Sequence, residues 1–203
     1  MSWLDPFYPI VGHVSLLELL VPQGARLIQL RLKDMPAPEL RRQIARARDI
    51  CAVHGAQLVV NDYWELALDL NCSFVHLGQE DMARADFAAL RRAGVRVGLS
   101  THDDAELETA LAQGPAYVAL GPVYPTLLKQ MPWAPQGLDK LGRWKRRIGD
   151  LPLIAIGGMT PERAPGALAA GADSVAVVTD IVQSGDPEAR CRAWVAATES
   201  ARR

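Results

Sequence analysis

Gln29, Arg31 and Lys33 alternate with Leu30 and Leu32 in the segment QLRLK. On a strand, that alternation puts the three polar side chains on one face and both leucines on the other. An edge strand with one wet face is the plainer alternative. It fits poorly where both faces of a sheet are covered, because the polar face must then point inward. Inward cations need partners. A ligand carrying several negative charges would supply them, with Arg31 as a planar fork and Lys33 as a point charge.

Two acidic tips follow. VVND ends in Asn61 and Asp62, and HLGQED carries His76, Gln79, Glu80 and Asp81. If the two runs are neighbouring strands, the Asp62 and Asp81 carboxylates can converge. Two carboxylates beside a phosphate-rich ligand commonly hold Mg²⁺, with substrate oxygens and water completing the shell. Either aspartate alone reads equally well as a helix cap; the pair beside QLRLK favours metal. In STHDD, Ser100 and Thr101 can donate to phosphate or ring nitrogens, and His102 can move a proton. An N-cap with a surface histidine is the plainer reading of that tip.

GPVYPTLLKQMPWAPQG is the longest connection and the expected lid, stiffened by Pro122, Pro125 and Pro132, with Thr126 and Lys129 placed to meet anionic groups. Trp133 is an expected aromatic cover. In IAIGGMT, Gly157 and Gly158 let a ligand approach the backbone, and amides at the start of a following helix favour an anion. VAVVTD ends the chain's last apolar run.

These tips need a frame, and the chain repeats one. Helix-like stretches reach Gly24, Gly55, Asn71, Gly94, Gly114, Gly149 and Gly171, and a short apolar run follows each. FYPIVGH precedes them all, giving eight strands. Runs such as LVV, LIAI and SVAVV lack alternation, so both sheet faces are covered and the strands are parallel. A closed barrel and an open doubly wound sheet both satisfy this. Eight units in 203 residues favour a single (β/α)8 TIM barrel spanning 1–203 as one domain, with the polar tips at one mouth. Leu40, Ile44, Ala47 and Cys51 recur at helical spacing, and Gly55 stops that helix. Thr101 or Asp103 can cap the helix of THDDAELETALAQG, and Thr160 with Pro161 is expected to open another. The closing helix is DPEARCRAWVAATES, with Arg202 and Arg203 expected to fray.

The net charge of −1 and the absence of a basic stripe argue against nucleic acid and anionic membrane as partners. Asp5, Pro6, Gly12, His13 and Glu18 break any signal-peptide pattern, and no run is apolar enough to span a bilayer. Cys51, Cys72 and Cys191 match no metal or redox spacing and read as small apolar fillers. A cytoplasmic protein acting on small molecules is expected. A homo-oligomer is left open.

The motifs together resemble one family. QLRLK, VVNDYWELAL, VHLGQED, GLSTH, LGPVYPT with Lys129, IAIGGMT and GADSVAVVTDI stand in the order and spacing of the thiamine phosphate synthase family, from about Ile28 to Ile181. The resemblance implies a transferase. It joins 4-amino-2-methyl-5-hydroxymethylpyrimidine diphosphate to 4-methyl-5-(2-phosphoethyl)thiazole, giving thiamine phosphate and diphosphate. It further implies that Gln29, Arg31, Lys33 and Asn61 hold the pyrimidine diphosphate, and that Asp62 and Asp81 bind Mg²⁺ there. By the same resemblance His76 and Ser100 lie beside the pyrimidine, and Thr126 and Lys129 come from the lid, with Lys129 on the diphosphate. Gly158, Val178 and Thr179 hold the thiazole phosphate. Arg31, Lys33, Lys129 and Ser100 are the residues expected to act in catalysis.

Two positions depart from the family pattern. Its lid reads Thr-x-Thr-Lys after the proline, whereas Leu128 here replaces one hydroxyl. Its last strand commonly ends in Ser-Ala, whereas Thr179-Asp180 stands here, and Asp180 near a phosphate would repel unless it points away. A sister branch, the thiazole tautomerases, would need the phosphate site and a proton-moving group such as His102 but no diphosphate machinery. A non-catalytic binder of the same phosphates is the third reading. QLRLK and both aspartates favour the synthase; Leu128 favours the sister branch.

Overall fold

The computed structural model describes residues 3–126 and 134–202. Strands β1 (Phe7–Val11), β2 (Leu27–Leu30), β3 (Gln57–Asn61), β4 (Phe74–Leu77), β5 (Arg96–Thr101), β6 (Tyr117–Leu120), β7 (Leu153–Ile156) and β8 (Ser174–Val177) close a barrel in chain order. All pairings are parallel, and β8 returns to β1 with Phe7 opposite Val175 and Pro9 opposite Val177. The (β/α)8 expectation holds. Helices α1 (Val14–Leu20), α2 (Ala37–His54), α3 (Trp64–Asp69), α4 (Gln79–Met82), α5 (Phe87–Arg92), α6 (Asp104–Leu111), α7 (Gly137–Ile148), α8 (Ala164–Ala169), α9 (Thr179–Val182) and α10 (Pro187–Thr198) fill the connections.

The seven joints read from the sequence all take positive φ, which lets a helix stop and the chain swing into the next strand. On α2, Leu40, Ile44, Ala47 and Cys51 are buried while Arg41, Arg42 and Arg46 face out. Asp103, not Thr101, caps α6 by accepting from the Glu106 N–H. Two expectations fail. Helix α8 begins at Ala164 rather than Pro161, because Thr160 carbonyl closes a separate turn onto Arg163 and Ala164 N–H. Pro165 then falls in the first turn, where its missing N–H breaks no helical bond. Arg202 does not fray: its guanidinium reaches Asp5 at 3.2 Å and Gly24 carbonyl at 3.0 Å.

Two apolar layers result. One lies between strands and helices and takes in all three cysteines, which are buried and unpaired. The other fills the barrel with Tyr8, Ile10, Leu27, Val59, Phe74, Tyr117, Ala119, Ile154 and Ala176. Strand alternation explains what sits above it. Each strand turns every second residue inward. On β2 to β4 an apolar residue low in the barrel is followed by a polar one at the mouth: Leu27 then Gln29, Val59 then Asn61, Phe74 then His76. On β5, Gly98 is followed by Ser100.

Candidate active site

A cavity of about 680 Å³ opens at the carboxyl ends of the strands. Gln29, Arg31, Lys33, Asn61, Asp62, His76, Asp81, Ser100, Thr126, Gly158, Val178 and Thr179 all line it. Lys129, Leu128 and Trp133 lie outside the described residues.

The QLRLK pattern is kept, but β2 ends at Leu30. Gln29 is buried inside the barrel, and Leu30 and Leu32 are buried against the helices. Arg31 and Lys33 continue the inward parity past the strand end and emerge exposed at the mouth. The expectation of buried cations is therefore corrected: both side chains are exposed.

Lys33 Nζ lies 2.6 Å from Asp62 Oδ2. Asp62 follows β3 with φ 64°, in the left-handed region that Asp tolerates better than most residues. Its N–H is held by His76 carbonyl at 2.9 Å, which ties the residue to β4. The helix-cap alternative fails for both aspartates. Tyr63 stands at the N-cap of α3 with no side-chain cap bond, and Asp81 lies within α4, whose N-cap is Gly78. Burial raises the Asp81 pKa, and so do the charge of Asp62 and a hydrogen bond to it; Lys33 and Arg84 pull it down. The two carboxylates therefore meet and compete for positive charge, which Lys33 supplies in part. Among the described residues no group of three or more His, Cys, Asp or Glu could hold a metal ion. A divalent cation fits this pair only with ligand oxygens and water in its shell, which is Mg²⁺ chemistry.

Asn61 stands beside them, almost fully buried, with no hydrogen-bond partner for its Nδ2 among the described residues. An orphaned amide donor lining a cavity is suited to an anionic oxygen. His76 is also buried, and burial pushes its pKa down to about 4, against the opposing pull of Asp62. It is neutral at physiological pH. Its Nε2 is 2.7 Å from Ser100 Oγ and its Nδ1 is 2.7 Å from Tyr117 Oη. Tyr117 Oη is in turn 2.9 Å from Tyr8 Oη, to which Gln29 Nε2 donates at 2.8 Å. Burial holds both phenols protonated, the Tyr8 and Tyr117 pKa values lying well above the usual range. Gln79 Nε2 fixes Ser100 from outside, donating to its carbonyl at 2.6 Å.

Gly157 and Gly158 have a packing role that their reading as a ligand approach overlooked. A Cβ on Gly157 would sit 2.6 Å from Pro122 Cα, and one on Gly158 would sit 2.5 Å from Pro125 carbonyl. Both also take positive φ. Only glycine lets the loop after β7 dock on the loop after β6, where Val123 and Tyr124 N–H reach Ile156 and Gly157 carbonyls. Val178 and Thr179 complete that side of the cavity. Asp180 has its charge paired in place: Arg190 grips it through Nε and NH2 at 2.7 and 2.6 Å, and Trp194 Nε1 donates at 2.7 Å. His102 sits at the rim with Nδ1 2.7 Å from Glu106 Oε2.

Sequence reasoning missed Tyr8, Tyr117 and Gly98. All three stand in strand runs and were given no role there. A Cβ at Gly98 would fall 2.0 Å from Tyr117 Cζ, so the bare glycine is what admits that ring under His76.

The family model for thiamine monophosphate synthase matches residues 8–181. A thiamine-phosphate synthase of Rhizobium etli is 62% identical over 195 residues, covering 96% of both chains. One of Klebsiella pneumoniae is 47% identical over 192 residues, covering 95% of this chain and 88% of that protein. Among solved structures, a thiamine phosphate pyrophosphorylase from Pyrococcus furiosus superposes with a TM-score of 0.86 over 98% of this chain and 97% of that one, at 24% identity.

Proposed function

We propose that this chain, which belongs to the thiamine monophosphate synthase family, couples 4-amino-2-methyl-5-hydroxymethylpyrimidine diphosphate to 4-methyl-5-(2-phosphoethyl)thiazole. One observation carries the reading. A single cavity collects a cationic and acidic cluster (Arg31, Lys33, Asp62, Asp81), a neutral polar floor (Gln29, His76, Ser100) and a backbone-lined end at Gly158 and Thr179. Those three zones match a diphosphate, an aminopyrimidine and a second phosphate.

In this mechanism the bond between the exocyclic methylene carbon and the diphosphate oxygen breaks first, and the thiazole nitrogen then attacks that carbon. The diphosphate leaves with the bonding pair, and no proton must move. The residues therefore need to stabilise charge and hold two rings in contact, not perform acid–base work. Arg31, Lys33 and the Asn61 amide donate to the departing oxygens, and Lys129 joins them by family resemblance. Asp62 and Asp81 would hold Mg²⁺; when bound, it neutralises charge that develops on the leaving group. His76 contributes by being uncharged, since an imidazolium under the ring would oppose a benzyl-like cation. Thr126 closes one wall, and the Gly158, Val178 and Thr179 region receives the thiazole phosphate.

The tautomerase reading is favoured by Leu128 and by the His102–Glu106 pair at the rim. It leaves the Lys33–Asp62–Asp81 cluster without a task. A cytoplasmic location belongs to the same proposal and is supported by three buried, unbridged thiols. Among the described residues no helix is long and apolar enough to cross a membrane.

The test is to mix purified protein, Mg²⁺ and both phosphorylated rings and to follow thiamine phosphate by fluorescence after oxidation. Product formation is expected. Its absence with active substrates, together with aromatisation of the carboxylated thiazole tautomer, would transfer the assignment to the sister branch.

A further inference from the structure

Beneath the cavity floor runs an unbroken file of hydrogen bonds from Gln29 through Tyr8, Tyr117 and His76 to Ser100. Its polarity follows from its first member. Gln29 Nε2 donates to Tyr8 Oη; the buried Tyr8 hydroxyl must itself donate, and its remaining partner among the described residues is Tyr117 Oη, which directs the Tyr117 proton to His76 Nδ1. A neutral imidazole has one N–H. With Nδ1 accepting, that proton is on Nε2 and is given to Ser100 Oγ. Ser100 then keeps its own hydroxyl proton for an acceptor in the cavity. Reversing the file would need the Gln29 amide turned over, with its oxygen against Tyr8.

The tyrosine is built in, not incidental. Its ring lies nearly parallel to His76 at an interplanar angle of 13°, with centroids 5.6 Å apart. The Gly98 position, which pairs with both His76 and Tyr117 across the sheet, has no side chain in the way. Tyr8 meets Tyr117 edge-on at 86° from the opposite side of the barrel. Neither phenol is among the residues lining the cavity, so neither reaches a ligand there; each acts only through the next member.

We propose that Tyr117, supported by Tyr8, is a positioning residue that fixes His76 as its Nε2–H tautomer and so directs the Ser100 hydroxyl proton to a hydrogen-bond acceptor on the aminopyrimidine. The identity of that acceptor rests on the function proposed above; the tautomer does not. Selection of a heteroaromatic ring with an acceptor at this position over a carbocyclic isostere follows from the same arrangement.

The experiment is ¹⁵N NMR of histidine-labelled, ligand-free protein near neutral pH, with the His76 signals assigned by their loss in His76→Gln. The wild type is expected as the Nε2–H tautomer alone. Tyr117→Phe removes the donor to Nδ1 and is expected to give a tautomer mixture. Tyr8→Phe removes the group that orients the Tyr117 hydroxyl and is expected to admit the other tautomer in part, in a smaller fraction than Tyr117→Phe does. In steady-state assays Tyr117→Phe should raise KM for the pyrimidine diphosphate ~5- to 10-fold, the size of one net hydrogen bond, and leave KM for the thiazole phosphate within ~2-fold. A wild-type Nδ1–H tautomer would overturn the proposal, and this decides even where Tyr117→Phe fails to fold. So would a Tyr117→Phe protein that merely melts earlier, with tautomer and KM unchanged. If no variant, wild type included, makes thiamine phosphate, the functional reading fails while the tautomer still decides the positioning role.

Discussion

Lys33 Nζ sits 2.6 Å from Asp62 Oδ2, and the charge of Asp62 in turn raises the Asp81 pKa. The lysine is half exposed, so the contact is a weak, exchangeable one and not a fixed brace. It places a cation where a divalent ion would compete for the same carboxylates. Lys33→Met should therefore raise the affinity of the ligand-free protein for Mn²⁺ several-fold, read by isothermal titration. It should also weaken binding of the pyrimidine diphosphate. A variant with Mn²⁺ affinity unchanged would remove Lys33 from the cluster.

Asp62→Ala and Asp81→Ala should each lower turnover by ~100-fold or more, since loss of the proposed Mg²⁺ clamp would remove several kcal/mol of charge stabilisation. Binding of the thiazole phosphate, measured separately by titration, should change by less than ~2-fold. Equal losses in both measurements would show that the aspartates support the whole mouth and not the diphosphate end.

Much of this was legible in the chain, for a physical reason. A parallel barrel repeats one unit, so its helix ends, apolar runs and polar tips recur, and strand parity carries Gln29, Arg31 and Lys33 to the same side even after the strand has ended. What was not legible depends on contacts between strands far apart in sequence. Tyr8 and Tyr117 are 109 residues apart and meet only because the barrel closes. Gly98 gives no sign from its neighbours that a tyrosine ring will occupy its missing side chain. The burial of QLRLK cations was overestimated because strand length is set by sheet pairing, and β2 stops after Leu30. The tail Arg202 was misjudged for a similar reason, since its partner Asp5 lies at the other end of the chain.

Gly98→Ala should be destabilising well beyond an ordinary glycine substitution. The added methyl would overlap the Tyr117 ring, and overpacking of this kind costs about 1–3 kcal/mol. Thermal or urea unfolding measures it. Pairing Gly98→Ala with a smaller residue at 117 should recover part of the loss; no recovery would mean that the ring is not the obstacle.

His76 should leave a mark on stability against pH. Its folded pKa is pushed down to about 4 from the ordinary value of 6.5, so between those values the unfolded chain binds more protons at this site than the folded one. Its contribution is then fully present above pH 6.5 and is lost as pH falls toward 4, at up to ~1.4 kcal/mol per pH unit. Asp5 and Asp81, whose pKa values are raised, act in the opposite sense at the acid end of that window. Comparison of the wild type with His76→Gln by urea unfolding isolates the histidine. The wild type should lose stability relative to the variant as pH drops below 6.5, and parallel curves would contradict a buried neutral imidazole.

Arg190→Ala should act on one substrate. It removes the bidentate partner of Asp180, leaving that carboxylate, among the described residues, with the Trp194 donor beside Thr179. A charge freed there opposes a phosphate at the β8 end of the cavity. KM for the thiazole phosphate should rise ~10-fold with little change for the pyrimidine diphosphate, and a uniform loss of both would point to misfolding of α9 and α10 instead.

The most direct measurement of the central claim is stoichiometry. Enzyme is incubated with Mg²⁺ and both phosphorylated rings, and thiamine phosphate and diphosphate are quantified in the same quench. One diphosphate should appear for each thiamine phosphate, and neither without the thiazole phosphate beyond slow hydrolysis. Diphosphate released freely without coupled product, or thiazole chemistry that ignores the pyrimidine, would contradict the account.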